Sequence, residues 1–343
     1  TLIAVVKGAN FVQEEVPTVG LAQGVRWYKA SVNKEYIYYI GPNGVGVWTE
    51  TSDVGDNTSS LAIETPDGGS IQDFIESQKF KTMEEAANFV NIAALQNYYP
   101  YIEDRNAKFK IVDTADVSPN GRDIVVSVVN PTKSIQLLQT TGELPLRAIG
   151  CDVAGSANGA PFIERVHELG MVPTVQAGET VALMSTPSSF TGGKWLLGKG
   201  DESTLILFAG VDILMTGFRN RLHKLKVVDS GLGGGTIKTS GYGQNFVTNI
   251  TTEGLALPLH LTYTDSNDAV GENYILFNNF NIQDVSGSKG MLIESTDNYL
   301  QGNVIRGYDW GMINLGGGTH VYDNHIYKYP SANVSYGMVL VGI

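Results

Sequence analysis

A chain of 343 residues with 42% hydrophobic content can bury a sizeable core, which excludes a wholly disordered protein and suits two or three domains. Only 17% of residues are charged and 40 are Gly, about 12% against a usual ~7%, so helical bundles and coiled coils give way to a turn-rich β architecture. The 35 acidic and 23 basic residues leave a formal charge of −12, which removes the electrostatic basis for nucleic-acid binding, and no apolar run reaches the ~18 residues of a membrane-spanning helix.

Cys151 is the only cysteine, so no intrachain disulfide or cysteine metal cluster forms, and stability must come from packing or from association of chains. The chain opens on Thr1 rather than Met and lacks the basic flank of a signal peptide, which suggests a chain processed or cut from a longer one.

Residues 1–65 read as a small β module. Gly24–Lys29 and Glu35–Ile40 are aromatic and β-branched, and Gly41-Pro42-Asn43-Gly44 signals a hairpin. Thr51–Ser70 is rich in Ser, Thr, Asp and Gly and reads as a linker. Residues 66–140 follow as a small α+β domain. Thr82 and Glu85 have capping-box spacing for a helix that buries Met83, Ala86, Ala87 and Val90, while Lys108–Asp113 and Asp123–Val129 read as strands. In the third region, 141–343, a second helix is expected over 159–169. Pro161 lies near its start, Gly170 just past its end, and Phe162, Ile163, Val166 and Leu169 supply a buried face.

From about residue 190 the pattern changes to short apolar strands separated by Gly, Asn, Asp and Ser. Gly290-Met291, Gly311-Met312 and Gly337-Met338 recur at steps of 311 − 290 = 21 and 337 − 311 = 26 residues. Asn303 and Asn324 each lie 13 residues after the Gly of their repeat, and looser copies occur at Asn249-Ile250 and Phe277–Ile282, with an insertion at Thr262–Gly271. A helix-free repeat of this size cannot bury its apolar side alone, so successive copies must stack as coils of a β-solenoid. Inward positions become apolar ladders, and Asn at one place in each coil stacks and hydrogen-bonds along the axis. The competing reading is an ordinary β-sandwich with coincidental spacing.

The residues of 80–343 resemble bacteriophage tailspikes whose body is a pectate-lyase-like right-handed parallel β-helix. Phe80–Ala87 and Tyr101–Val112 resemble the short domain before the β-helix; Leu146–Gly155, the helix at 159–169 and Gly178–Leu183 resemble its lead-in; Trp195–Leu207 resembles the first full coil. Where the family usually carries Asp-Asp before the helix, this chain has Ser156-Ala157-Asn158-Gly159. The resemblance implies a mainly β fold: N-terminal β and α+β domains, then the first coils of a right-handed parallel β-helix. It further implies a homotrimer in the virion, attached to other phage tail or baseplate proteins through the N-terminal region, that recognises a bacterial surface polysaccharide and often cleaves it. The last residues, Ser335–Ile343, stop inside a coil, so the expectation is an N-terminal portion of a longer spike whose active site is to be sought downstream. A non-enzymatic adhesin or structural adaptor of the tail is the alternative.

Glycosidases need two carboxylates about 5–5.5 Å or 6.5–9.5 Å apart, and in the later coils Glu294, Asp297 and Asp309 are the candidate catalytic set, with Tyr299, Tyr308 and Trp310 as sugar-stacking platforms. Exposed turn carboxylates are the default for such residues. A lyase would use Arg306, His320 or His325 instead. No metal or cofactor is implied. Gly193–Gly200 misses the Ser or Thr of a phosphate loop and reads as a coil turn; Gly231–Gly235 reads as a turn; Asp265, Asp268 and Glu272 lack the alternation of a calcium loop; and His320 and His325 lack a third zinc ligand.

Overall fold

The computed structural model describes residues 11–12, 26–29, 34–40, 46–51, 79–90, 92–96, 99–138, 142–188, 190–200, 202–231, 233–240, 243–262, 272–327 and 336–340. Two compact units divide the chain, Thr1–Leu138 and Gln139–Ile343.

The first unit holds two sheets. Phe11–Val12, Arg26–Lys29, Lys34–Ile40 and Gly46–Thr51 lie side by side in chain order, and the last two pair antiparallel from Glu35↔Thr51 to Ile40↔Gly46, as the Gly-Pro-Asn-Gly signal predicts. The linker stretch after Thr51 lies outside the described residues. In the second sheet the order is Lys79–Phe80, Tyr101–Ile102, Ala107–Asp113, Lys133–Leu137 and Ile124–Val126, with Phe109, Ile111, Ile135 and Leu137 buried.

Helix α1 (Met83–Ala87) is capped by Thr82, whose Oγ1 accepts the Glu85 N–H at 3.1 Å, while Glu85 Oε2 accepts the Lys81 N–H at 2.7 Å. Met83, Ala86 and Ala87 are buried. Val90 departs from the expected face: the helix is capped at Asn88, so Val90 falls past the last turn and is 74% exposed. The strand expected over Asp123–Val129 likewise stops at Val126, because the Ser127 hydroxyl and the Val128 N–H both turn aside to the Ala87 carbonyl, leaving Val128 and Val129 exposed.

The second unit is a parallel β-solenoid. Sheet I stacks eight strands, Glu143–Pro145, Val172–Val175, Trp195–Gly198, Arg221–His223, Phe246–Thr248, Tyr274–Leu276, Tyr299–Gln301 and His320–Tyr322, each parallel to the next. Sheet II runs from Ala154–Asn158 through Thr180–Leu183, Thr204–Leu207 and Lys226–Asp229 to Thr251–Glu253. Sheet III begins at Ile213–Thr216 and continues with Ile237–Ser240 and Leu259–Leu261. Two long strands, Asn279–Ile293 and Val304–Asn314, then pass through both, and His325–Tyr327 and Tyr336–Leu340 pair with the second of them.

Partners in sheet I are separated by as few as 21 residues (Tyr299↔His320) and as many as 29 (Glu143↔Val172), the coil length that the repeat predicts. The Gly-Met marker is in register too, since Met291 pairs with Met312 and Met312 with Met338. Strand alternation puts Leu196, Leu222, Val247, Ile275 and Leu300 in one fully buried ladder.

Helix α2 (Ala160–Glu168) follows the first strand of sheet II, the place in the coil that sheet III takes later. It ends in a Schellman motif: the Gly170 N–H reaches the His167 carbonyl and the Met171 N–H the Val166 carbonyl, with Gly170 at φ +71°. Ile163 and Val166 are buried as expected, but Phe162 and Leu169 are only half-buried, and His167 completes the buried face against Phe190, its Nε2–H donating to the Trp195 carbonyl at 2.9 Å. Asp152 lies before the helix. Its carboxylate accepts the N–H groups of Ala154, Ser156 and Ala157 and the Ser156 hydroxyl.

Two corners shape the coil. Between sheets III and I, Asn220, Asn245, Asn273 and Asn298 form a continuous amide ladder with steps of 3.0, 3.2 and 2.9 Å. Between sheets I and II the ladder position is Ser203, Leu225 and Ile250 in early coils and Asn278, Asn303 and Asn324 in later ones, the Asn steps being 2.9 and 2.7 Å. The expected Asn stacking is therefore present twice. The copy at Asn249-Ile250 is one residue out of phase: Ile250 holds the ladder position, and Asn249 occupies the left-handed turn before it at φ +54°.

Candidate functional site

A strand that buries its central residue turns the first and third outward. Along sheet I the first residues form the row Trp195, Arg221, Phe246, Tyr274, Tyr299 and His320, one per coil. Arg221 lies over Trp195 at 4.6 Å and over Phe246 at 4.9 Å; Phe246, Tyr274, Tyr299 and His320 then stack at 4.9, 5.1 and 4.9 Å with interplanar angles of 13° or less. The strand spacing of about 4.8 Å is what brings these rings to stacking distance. The third residues form a second row, Leu197, His223, Thr248, Leu276, Gln301 and Tyr322, of which Leu197 is buried.

Beside this row, the corner to sheet II carries one left-handed residue per coil: Glu202, Lys224, Asn249, Phe277, Gly302 and Asp323, with φ between +51° and +68°. A bulky aromatic is rare in this region. Phe277 nevertheless sits there, 58% exposed, its ring over Gly302, where a side chain would collide with it. Tyr322 and Tyr327, 54% and 52% exposed, flank the same corner in the last coil. Their hydroxyls approach Nδ1 of His320 and His325 at 3.3 and 3.5 Å, and Arg306 lies over the Tyr327 ring at 5.7 Å.

The sequence-selected residues are dispersed. Glu294 follows the sheet III segment and binds His260 of the preceding coil, Oε2 to Nε2 at 2.7 Å. Asp297 is the left-handed residue of the corner between sheets III and I, its carboxylate against Gly318. Asp309 lies before the sheet III segment, beside Ser288 of the neighbouring coil, and its Oδ2 accepts the Gly287 N–H at 2.5 Å. Position 288 and position 294 are separated by six residues, about 20 Å of extended chain, so Asp309 does not form a two-carboxylate pair with Glu294 within one chain.

Among the aromatic candidates, Tyr299 is sandwiched between Tyr274 and His320 and offers an edge rather than a face. Tyr308 is 3% exposed; burial pushes its hydroxyl pKa up, and it belongs to the interior rather than to a sugar platform. Trp310 stacks on Tyr336 at 4.3 Å. Asp265 and Asp268 lie outside the described residues, and Glu272 accepts from the Gln244 side chain at 3.1 Å. Among the described residues, no group of three His, Cys, Asp or Glu side chains converges as a metal site. Burial pushes the Cys151 thiol up to about 12, so it stays protonated and unreactive.

Two features escape the sequence reading. His260 is linked to Glu294 across a coil lengthened by the insertion, so no constant spacing exposes it. The ring row is a different case: Asn220-Arg221-Leu222, Asn245-Phe246-Val247, Asn273-Tyr274-Ile275 and Asn298-Tyr299-Leu300 share an Asn, ring or Arg, apolar pattern that marks both the corner ladder and the row.

No protein-family model matches this chain, and no curated protein matches it. Among solved structures it is similar to the tailspike protein of Acinetobacter baumannii phage AM24, with 12% sequence identity and a TM-score of 0.44 over 79% of this chain. The similarity covers 60% of that tailspike, so this chain spans less than two thirds of its length.

Proposed function

We propose that this chain is a subunit of a phage tailspike that recognises a bacterial surface polysaccharide. The observation that carries the reading is the exposed aromatic set at the corner between sheets I and II, Phe277, Tyr322 and Tyr327, interleaved with Gln301, Arg306 and Asp323. Aromatic faces pack against the C–H faces of sugars while polar neighbours take hydroxyls, and a solenoid repeats such positions at a fixed spacing that suits a polymer. Attachment to other tail or baseplate proteins through residues 1–65, and a virion location, belong to the same reading. So does the homotrimer, which is supported by the outward row Leu292, Ile313 and Val339 on sheet III, an apolar strip that a three-fold neighbour would cover.

Depolymerisation is the second part of the proposal, favoured by the His260–Glu294 pair, in which a carboxylate orients an imidazole at the solenoid surface. Affinity electrophoresis of the purified protein through gels loaded with capsular or O-chain polysaccharide tests recognition. Retardation by at least one polysaccharide, reduced by Phe277→Ala, is expected; free migration through all of them would overturn the reading. Release of reducing ends, lost in His260→Ala and in Glu294→Gln, would establish cleavage, and retardation without release would leave an adhesin.

A further inference from the structure

The inward ladder of sheet II is apolar with one exception. It passes from Val227 to Thr252 and on to Phe280 and Ile305, and all four side chains are fully buried. Val has nearly the shape of Thr without its hydroxyl, so packing alone does not call for Thr at this place. A second buried hydroxyl lies two coils further on. Tyr308, on the strand Val304–Asn314, is 3% exposed in a position that Phe would fill equally well.

The two hydroxyls face each other along the axis. Burial pushes the Tyr308 pKa up, and the Thr252 hydroxyl beside it acts in the opposite sense. Yet no hydrogen bond of ordinary geometry closes between them, and neither Tyr308 Oη nor Thr252 Oγ1 has another hydrogen-bond partner among the described residues. Buried polar groups in folded proteins are satisfied, and leaving one orphaned costs about tenfold or more in the folding equilibrium. A pair of hydroxyls cannot satisfy itself. Each carries one O–H donor, so a direct bond uses one donor and leaves the other aimed at apolar neighbours. A third O–H group closes the count: Tyr308 donates to it, it donates to Thr252, and Thr252 donates to Tyr308.

We propose that the solenoid interior holds a water molecule hydrogen-bonded to both Tyr308 Oη and Thr252 Oγ1. Water fits these partners where an ion does not, because two neutral hydroxyls leave the charge of an ion uncompensated in the interior. The bridge ties one coil to the coil two steps beyond it, and it anchors the strand that carries Arg306 two residues before Tyr308 and Trp310 two residues after. It is independent of what the chain binds at its surface.

The test is a crystal structure of the full chain that resolves ordered water, together with urea unfolding of Thr252→Val, Tyr308→Phe and the double variant, all of which keep the shape of the buried side chains. A water within hydrogen-bond distance of both Tyr308 Oη and Thr252 Oγ1 is expected in the parent chain and is expected to be missing from the double variant. Each single substitution strands the remaining hydroxyl and the water, so the unfolding equilibrium constant should rise by about tenfold. The double variant removes both polar groups together and should unfold no more readily than either single one. Hydroxyls bonded directly to each other with no water beside them, a site that is dry in the parent crystal, or costs that simply add in the double variant would overturn the proposal. The parent crystal decides the site even where a variant fails to fold.

Discussion

The two corners that flank sheet I solve the same turn with different side chains. Between sheets III and I the ladder is Asn in four successive coils, Asn220 to Asn298, whereas between sheets I and II it begins as Ser203, runs through the apolar Leu225 and Ile250, and becomes Asn only from Asn278. Coil geometry survives that change because the preceding residue is left-handed in each of these coils, from Lys224 at φ +54° to Asp323 at φ +51°. The difference teaches that the backbone turn is set by the left-handed residue, while the ladder residue decides only how the corner interior is filled. It also leaves the left-handed side chain exposed, as at Lys224 in the apolar half and Phe277 at the start of the amide half.

Breaking the apolar half should have the largest effect. Ile250 is fully buried, and Ile250→Ala is expected to cost about 2–5 kcal/mol in urea unfolding through the cavity it leaves. In the amide half, Asn303→Ala removes the acceptor of the Asn278 N–H and the donor to the Ile275 carbonyl, and about 1–3 kcal/mol for each orphaned group is expected by the same measurement. Ile250→Asn sharpens the comparison. The Ile250 N–H already donates to Asn278 Oδ1 at 2.8 Å, so the new amide lengthens the ladder by one coil, and the variant should be more stable than Ile250→Ala by about 1 kcal/mol or more.

Smaller effects test the turn itself. Phe277→Gly removes a side chain from a left-handed position and should raise stability by up to about 1–2 kcal/mol while weakening retardation by polysaccharide. A loss of stability would show that the ring packs on Gly302 more strongly than the turn is strained.

The smallest concerns pH. The Ala154 N–H, then the Ser156 hydroxyl and the remaining backbone donors, hold the Asp152 carboxyl at about 2, below its ordinary 3.8. A depressed carboxyl stabilises the fold above the unfolded value and loses that contribution as pH falls from 3.8 through 2. Acid unfolding of Asp152→Asn should therefore start from a lower stability at neutral pH and be less steep across that window.

Much of the solenoid is legible in the residues because each coil repeats the same demand. Met291, Met312 and Met338 fall in register because an inward position of sheet III must be apolar, and Asn303 and Asn324 because the corner needs an amide. Asn249 misleads for a physical reason: Asn is favoured both as a ladder residue and in the left-handed turn one position earlier, and spacing alone does not separate the two. The candidate site is less legible. Glu294, Asp297 and Asp309 are close in number, but a strand of sheet III separates the first two from the third, and the partner of Glu294 lies a full coil away at His260. Tyr299 and Tyr308 are close in number too, yet one is stacked edge-outward in a ring row and the other is interior, because a long strand changes which face of the coil it serves.

The central claim, recognition of a bacterial surface polysaccharide, is tested most directly by labelling cells with the fluorescent protein before and after their capsule and O-chains are removed. The account predicts saturable labelling of at least one strain that is lost on stripping and weakened by Phe277→Ala. Labelling that persists on stripped cells, or that no strain shows, would contradict it.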